Sequence, residues 1–266
     1  MAKHLQRVTL TGVDECTDRK KLTALSEKYP FAEWGVLYSA ARAGTTPRYP
    51  ALAWIDAFAK HAAVGHLPIA LHLCGNIVTD LLTQVASGDD NSPVLELCRS
   101  FGRVQLNVNA ARHKAIPLQA YEGLIRRLTR PDCATRCVVQ LHDGNTALVE
   151  HLSALDLPVL DFLVDASGGN GQEAATWPDL NWGALRHAAF AGGLGPDNIA
   201  EKLAGIAALA LVAPFGVDME SRVRDTADQF DLQKCEAVLE AAQAFIDAHG
   251  GWSPCRVLED AGLTGI

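Results

Sequence analysis

Phe190-Ala-Gly-Gly-Leu-Gly-Pro-Asp-Asn-Ile199 is the stretch on which the fold turns. A short apolar run ends in paired glycines, and a helix start follows at once. Pro196 fits the first turn of that helix, where an N–H lacks a partner in any case. Gly192 and Gly193 let backbone N–H groups come close to a ligand, and the helix behind them aims the positive end of its dipole at the same point. An anion, most often a phosphate, is held this way without basic side chains; a plain strand-to-helix turn fits the local sequence equally well. Further along stands Phe215-Gly-Val-Asp-Met219, another short strand. Two late strand ends that share a phosphate site are the pattern of a (β/α)8 barrel.

Outward from this stretch, short apolar runs alternate with longer amphipathic ones. Strands are expected at Val8–Gly12, Trp34–Tyr38, Ile69–Cys74, Val104–Val108, Val138–Leu141, Phe162–Asp165, Ala188–Gly192 and Gly216–Met219. Helical patterns cover Lys20–Lys28, Leu52–Ala63, Ile77–Ala86, Leu118–Thr129, Thr146–Leu155, Asp197–Leu209 and Leu232–Ala248. Parallel strands need crossovers, so this order predicts an α/β fold with a parallel sheet. Eight strands within 266 residues predict its closure into a single (β/α)8 TIM barrel. An open doubly wound sheet is the weaker alternative, because no G-x-G-x-x-G follows the first strand. The chain reads as one domain, 1–266, with a C-terminal extension outside the barrel from about residue 250. Ser39–Pro50 and Ser167–Trp182 are loops after strands, on the face where such barrels do chemistry.

With 48% hydrophobic and 20% charged residues the chain is globular. A formal charge of −8 argues against nucleic acid or an anionic membrane as partner. The seven cysteines, odd in number and scattered, indicate a reducing compartment rather than a disulfide framework. No apolar signal region or membrane span is visible, and a cytoplasmic location is expected. Cys133 and Cys137 lack the second pair or histidine motif of a zinc site.

In sequence order, several motifs resemble those of the phosphoribosylanthranilate isomerase family. They are Arg7-Val-Thr-Leu-Thr-Gly-Val-Asp14, Gly35-Val-Leu-Tyr38 followed by Thr46-Pro-Arg-Tyr49, and Val104-Gln-Leu106. Phe162-Leu-Val-Asp165 with Gly168-Gly-Asn-Gly171, Ala191-Gly-Gly-Leu-Gly-Pro-Asp-Asn198 and Phe215-Gly-Val-Asp218 complete the set, which spans almost the whole chain. The resemblance implies an Amadori rearrangement of an aminoaldose phosphate to an aminoketose phosphate. That reaction needs an acid to protonate the ring oxygen and a base to take the proton of the neighbouring sugar carbon. It implies Asp165 as the acid, Arg48 as the clamp on a substrate carboxylate, and Gly192 and Gly193 as half of a phosphate cradle. Asn198 is the residue that ties down the following turn.

Two departures bear on the chemistry. The position of the family's basic cysteine is Thr11, a poor base by itself, so the base is unassigned. The family's Ser-Gly phosphate nest after the last strand is replaced by Glu220, Ser221 and Arg222, where a carboxylate beside a phosphate needs Arg222 to offset it. Asn107 also stands where the family has a histidine.

Strand alternation places His72 with Cys74, Gln105 with Asn107, and Gln140 with His142 on shared faces. Together with Asp165 they form a polar set for one cavity, with His72 either an acid–base group or a hydrogen-bonded core histidine. Catalytic candidates are therefore Asp165, Thr11 and His72; substrate-binding candidates are Arg48, Gln105, Asn107, Gly192, Gly193, Glu220, Ser221 and Arg222. Asp14, Glu15 and Asp18 form an acidic loop that is read as solvated, so no metal is expected, and no cofactor. The partner is a small, phosphorylated or otherwise anionic metabolite, and a homodimer is compatible with the sequence. Three functions remain open: a phosphoribosylanthranilate isomerase-like enzyme, a diverged barrel lyase or isomerase using His72 or Glu220, and a non-catalytic ligand-binding barrel.

Overall fold

The computed structural model describes residues 4–88, 92–108, 116–129, 135–141, 145–155, 157, 159–165, 173, 177, 188–209, 211 and 213–252. Eight parallel strands close on themselves in sequence order: β1 (Leu5–Thr11), β2 (Ala32–Tyr38), β3 (Ile69–Leu73), β4 (Arg103–Leu106), β5 (Arg136–Leu141), β6 (Leu160–Asp165), β7 (Ala188–Ala191) and β8 (Phe215–Met219). The helices are α1 (Arg19–Lys28), α2 (Leu52–Val64), α3 (Asn76–Ser87), α4 (Pro93–Cys98), α5 (Leu118–Leu128), α6 (Thr146–Ser153), α7 (Ile199–Ala208) and α8 (Leu232–Ala248). The TIM barrel expected from the strand–helix alternation is the fold observed. No helix of the described residues is long and apolar enough to cross a membrane.

Alternation along each strand sorts side chains between two cores. Val8, Leu10, Trp34, Val36, Leu71, Leu73, Cys137 and Val139 point outward and are buried against the helices with Ile55, Phe58, Leu81, Leu124, Leu203 and Val238. Burying one such side chain favours folding by about 1.5–3 kcal/mol. The intervening positions face the barrel axis and stack in layers, as this fold requires.

The floor of the barrel is ionic. Arg103 bonds Glu33 and Asp161, Arg136 bonds Asp161, and Arg7 lies 3.3 Å from Glu33. A Cβ on Gly216 would meet the Arg7 guanidinium at 3.1 Å, so a side chain there would crowd this layer. Burial alone would raise the Asp161 carboxyl, but Arg103 and Arg136 overcome it and hold it well below the usual carboxylate range. Above the floor lies a small apolar layer of Val138, Leu163 and Ala189, with Ala191 against it. The top layer is polar again and forms the site described below.

Two local expectations are corrected. Pro196 lies in the turn before α7, not in its first turn, because the helix begins only at Ile199. The turn is closed instead by Asn198, whose side chain accepts from Gly195 N at 3.0 Å and donates to Gly193 O at 3.0 Å. The acidic loop after β1 is not simply solvated either: Asp14 is fully buried and pairs with Arg224 at 3.1 Å, while Asp18 caps α1. Beyond α8, the Trp252 indole donates to Gln6 O of β1 at 2.9 Å. Residues 253–266 lie outside the described residues.

Candidate active site

The carboxyl ends of the strands bring most of the predicted polar residues together. Thr11 is the last residue of β1, and a Cβ on Gly35 of β2 would stand 2.3 Å from its Oγ1. Glycine at position 35 therefore makes the space that the Thr11 hydroxyl occupies. That hydroxyl donates to Asp218 Oδ1 at 2.7 Å across the β1–β8 seam. His72 of β3 approaches both, with Nε2 at 3.4 Å from Thr11 Oγ1 and Nδ1 at 3.8 Å from Asp218 Oδ2.

Burial governs the protonation of this trio. Desolvation pushes the Asp218 carboxyl up to about 7; the Thr11 hydrogen bond works against it, and the negative charges of Glu33 and Asp165 add to it. Desolvation drives His72 the other way, down to about 4, so its ring is neutral at pH 7. Asp218 is thus a carboxyl poised near neutrality, which sequence reading placed in a motif but did not single out. Its signal was register: two residues beyond Gly216, it shares that residue's inward face.

Around this trio, Gln140 donates to Asp165 Oδ2 at 2.7 Å and holds the predicted acid on the inner wall of β6. Gln105 donates to Asn107 Oδ1 at 2.8 Å, and Asn107 in turn donates to Cys74 Sγ at 3.1 Å. Burial raises the Cys74 thiol to about 12, so it offers no thiolate as a base. His142 and Gly168–Gly171 fall outside the described residues.

The rim is a chain of ion pairs. Arg48, from the β2–α2 loop, bonds Asp228 through Nε and Nη2 at 3.2 and 2.6 Å, and bonds Glu220 and Ser221 through Nη1. These partners, Asp228 first, raise the Arg48 guanidinium above its ordinary value. The arginine expected to clamp a substrate carboxylate is thus engaged by two carboxylates of its own chain. Glu220 is offset by Arg48 and not by Arg222, contrary to the expected compensation at the last strand end. Arg224 lies deeper, donating to Gly12 O at 2.7 Å and pairing with Asp14 and Asp228, and so joins the loops after β1 and β8. Neither Arg224 nor Asp228 was legible as a site residue, since ion pairs between distant loops leave no local pattern. Among the described residues no group of three or more His, Cys, Asp or Glu side chains is arranged to hold a metal ion.

The diglycine corner behaves as its sequence predicts in conformation. Gly192 and Gly193 have φ of 125° and 62°, values that side-chain-bearing residues rarely adopt. Both are buried. Beside them the stem of Arg222 crosses Gly195, where a Cβ would lie 2.5 Å from Arg222 Cβ. Arg222 reaches Glu173 at 3.3 Å, and Lys202 of α7 reaches the same carboxylate at 2.9 Å.

No protein-family model matches the sequence, and no curated protein matches it. Solved structures do match in shape. Phosphoribosyl anthranilate isomerase from Thermus thermophilus is 18% identical, with a TM-score of 0.57 over 90% of this chain and 100% of that one. A phosphoribosyl anthranilate isomerase solved with reduced 1-(o-carboxyphenylamino)-1-deoxyribulose 5-phosphate is 13% identical, with a TM-score of 0.56 over 90% of this chain and 100% of that one. Phospho-2-dehydro-3-deoxyheptonate aldolase from Thermotoga maritima is 11% identical, with a TM-score of 0.55 over 94% of this chain and 72% of that one. At these identities the likeness establishes the shared barrel.

Proposed function

We propose that this barrel isomerises a phosphorylated small molecule by acid–base catalysis, in the manner of an aldose–ketose isomerase resembling phosphoribosylanthranilate isomerase. The observation that carries it is a pair of inward-facing carboxyls, Asp165 on β6 and Asp218 on β8, within one polar ring at the carboxyl ends of the strands. Two carboxyls with different surroundings can divide the acid and base roles. Asp165, held by Gln140, protonates the ring oxygen as the C1–O bond opens and an iminium forms. Asp218 takes the proton from C2, and the electron pair released forms the C1–C2 double bond as the iminium π pair moves to nitrogen. Tautomerisation of the resulting enol gives the ketone, and no external oxidant or reductant is consumed. Thr11 holds Asp218 in place where it cannot act as a base itself, and neutral His72 packs against both. Gln105 and Asn107 face the substrate's hydroxyl groups, and the Gly192–Gly193 corner, with Ser221 and Arg222, lies at its phosphate end. A cytoplasmic metabolite suits the free thiols of the chain.

The test is direct: purified protein is given N-(5′-phosphoribosyl)anthranilate, and its fluorescence is followed. Loss of fluorescence with time supports this function, and no turnover above buffer at high enzyme concentration rejects that substrate. One observation favours a diverged isomerase with another substrate, namely the engagement of Arg48 by Glu220 and Asp228. A substrate without a carboxylate leaves those pairs intact. A panel of sugar phosphates separates the two: turnover of an aldose phosphate lacking the anthranilate group supports the second.

A further inference from the structure

Neither charge nor hydrogen bonding balances on the floor of the barrel. Arg7, Glu33, Arg103, Arg136 and Asp161 face the axis, since their strand neighbours Val8, Trp34, Val104, Cys137 and Phe162 pack outward against the helices. All four carboxylate oxygens of this layer are engaged. Glu33 Oε1 accepts from the Thr9 hydroxyl at 2.9 Å and lies 3.3 Å from Arg7 Nε, and Oε2 accepts from Arg103 Nε at 3.1 Å. Asp161 Oδ1 accepts from Arg136 Nη2, and Oδ2 accepts from Arg103 Nη1 and, at 3.3 Å, from Arg136 Nε. Arg136, only 8% exposed, thus clasps Asp161 with one edge of its guanidinium plane. Its Nη1, on the other edge, is buried and has no hydrogen-bond partner among the described residues. At this level β3 brings only Ala70, opposite Arg103 in register, and the layer above is Val138, Leu163 and Ala189, so neither supplies a polar side chain.

Among the described residues, three guanidinium groups face two carboxylates here, which leaves one positive charge in excess. Both carboxyls are held below their ordinary values and so stay ionised. The imbalance shows on Arg7, whose guanidinium is lowered by burial first and then by the charge of Arg103, despite Glu33 and Asp161. A buried donor without an acceptor and a buried charge without a counter-charge each cost free energy. Water satisfies the first and not the second; one small monovalent anion satisfies both. We infer that the floor of the barrel binds a small monovalent inorganic anion such as chloride against Arg136 Nη1, as a structural ion. A dianion would reverse the imbalance rather than remove it. The Arg7, Arg103 and Arg136 side chains retain 12%, 12% and 10% exposure, and the apolar layer seals them from above, so the ion enters from the amino ends of the strands. This site lies at the opposite end of the barrel from the polar ring of Thr11, Asp165 and Asp218 and is independent of the proposed function.

The experiment measures urea unfolding of the full-length protein in sodium chloride and in sodium gluconate at equal ionic strength, about 0.1 M. Gluconate is monovalent and too large for a site formed by one guanidinium edge. Wild type is compared with Arg136→Met, which removes the unpartnered donor and leaves two guanidinium groups facing two carboxylates. In chloride the wild type is expected to unfold with an equilibrium constant about tenfold smaller than in gluconate, the shift for a ligand at about ten times its Kd. Arg136→Met is expected to show no difference between the two salts. Should that variant not fold, anomalous scattering from bromide-soaked crystals of the wild type decides the matter, with a bromide peak within hydrogen-bond distance of Arg136 Nη1 as the expected result. The same unfolding constant for wild type in both salts, an equal salt effect in folded Arg136→Met, or bromide peaks on the outer surface alone overturns the inference.

Discussion

Thr11 donates its hydroxyl hydrogen to Asp218 at 2.7 Å, so the last residue of β1 is bound to a carboxyl on the neighbouring strand. In the proposed function this carboxyl is the proton acceptor at the seam between the first and last strands, since the hydroxyl on β1 is a poor base at neutral pH.

The first prediction concerns stability. Asp218 has an ordinary value of 3.8 and is pushed up to about 7 by burial. The folded state therefore binds the proton more tightly than the unfolded state between these values, and this group's contribution falls as pH rises through that window. Asp218→Asn keeps an oxygen to accept from Thr11 and removes the charge. Its stability relative to wild type should be smallest below pH 4 and largest above pH 7, with a gain on the order of 4 kcal/mol. Urea unfolding of both proteins at several pH values checks this; a constant difference contradicts it.

The floor of the barrel should show the opposite sign. Glu33 and Asp161, despite burial, are held below their ordinary values by Arg103, with Arg7 and Arg136 assisting. Their contribution is present above the unfolded carboxylate range and is lost as pH falls below it. Asp161→Asn leaves Arg103 and Arg136 facing an uncharged amide, a loss of about 3–5 kcal/mol. Thermal unfolding at pH 7 measures it, and a change of less than about 1 kcal/mol would mean that the network stabilises little.

For catalysis, Asp165→Asn should keep the fold, since the amide oxygen still accepts from Gln140. With a substrate that turns over, kcat should fall by about 10²–10⁴-fold, the range for loss of a positioned acid. KM should stay within about threefold, because a group acting mainly in the transition state contributes little to ground-state binding. Unchanged kcat would remove Asp165 from the mechanism.

At the rim, Glu220→Gln should free one side of Arg48 while the pair to Asp228 persists. If Arg48 accepts a substrate carboxylate, anthranilate should bind the variant about tenfold more tightly than wild type, through one charge-assisted fork contact. Anthranilate fluorescence titration reads the difference; identical weak binding would favour the substrate without a carboxylate.

The barrel was legible because its periodicities are local. Short apolar runs such as Phe162–Asp165 and amphipathic stretches such as Leu232–Ala248 carry their own signature, and the latter matches α8 residue for residue. Boundaries slipped where a turn competed with a helix: Asp197 and Asn198 close the turn before α7, and the first helical residue is Ile199. At the site, alternation put His72, Gln105, Asn107, Gln140, His142 and Asp165 in one polar set, whereas Thr11 was singled out only through the family resemblance. Partnership was not legible. Nothing local to Arg48 says that Asp228, 180 residues later, will face it, and nothing near Asp14 anticipates Arg224. Asp218 was hidden for a related reason: its proton affinity comes from burial and from charges on other strands, which appear only once the barrel closes.

The most direct test of the account is the titration of the Asp218 carboxyl itself in the ligand-free protein. Carbon-13 NMR of aspartate-labelled protein, with the resonance assigned by Asp218→Asn, follows its ionisation between pH 3 and pH 9. A midpoint near 7 is the predicted result. A midpoint near the ordinary aspartate value of 3.8 would contradict the account, because the seam would then carry a carboxylate too weakly basic to take the C2 proton efficiently at neutral pH.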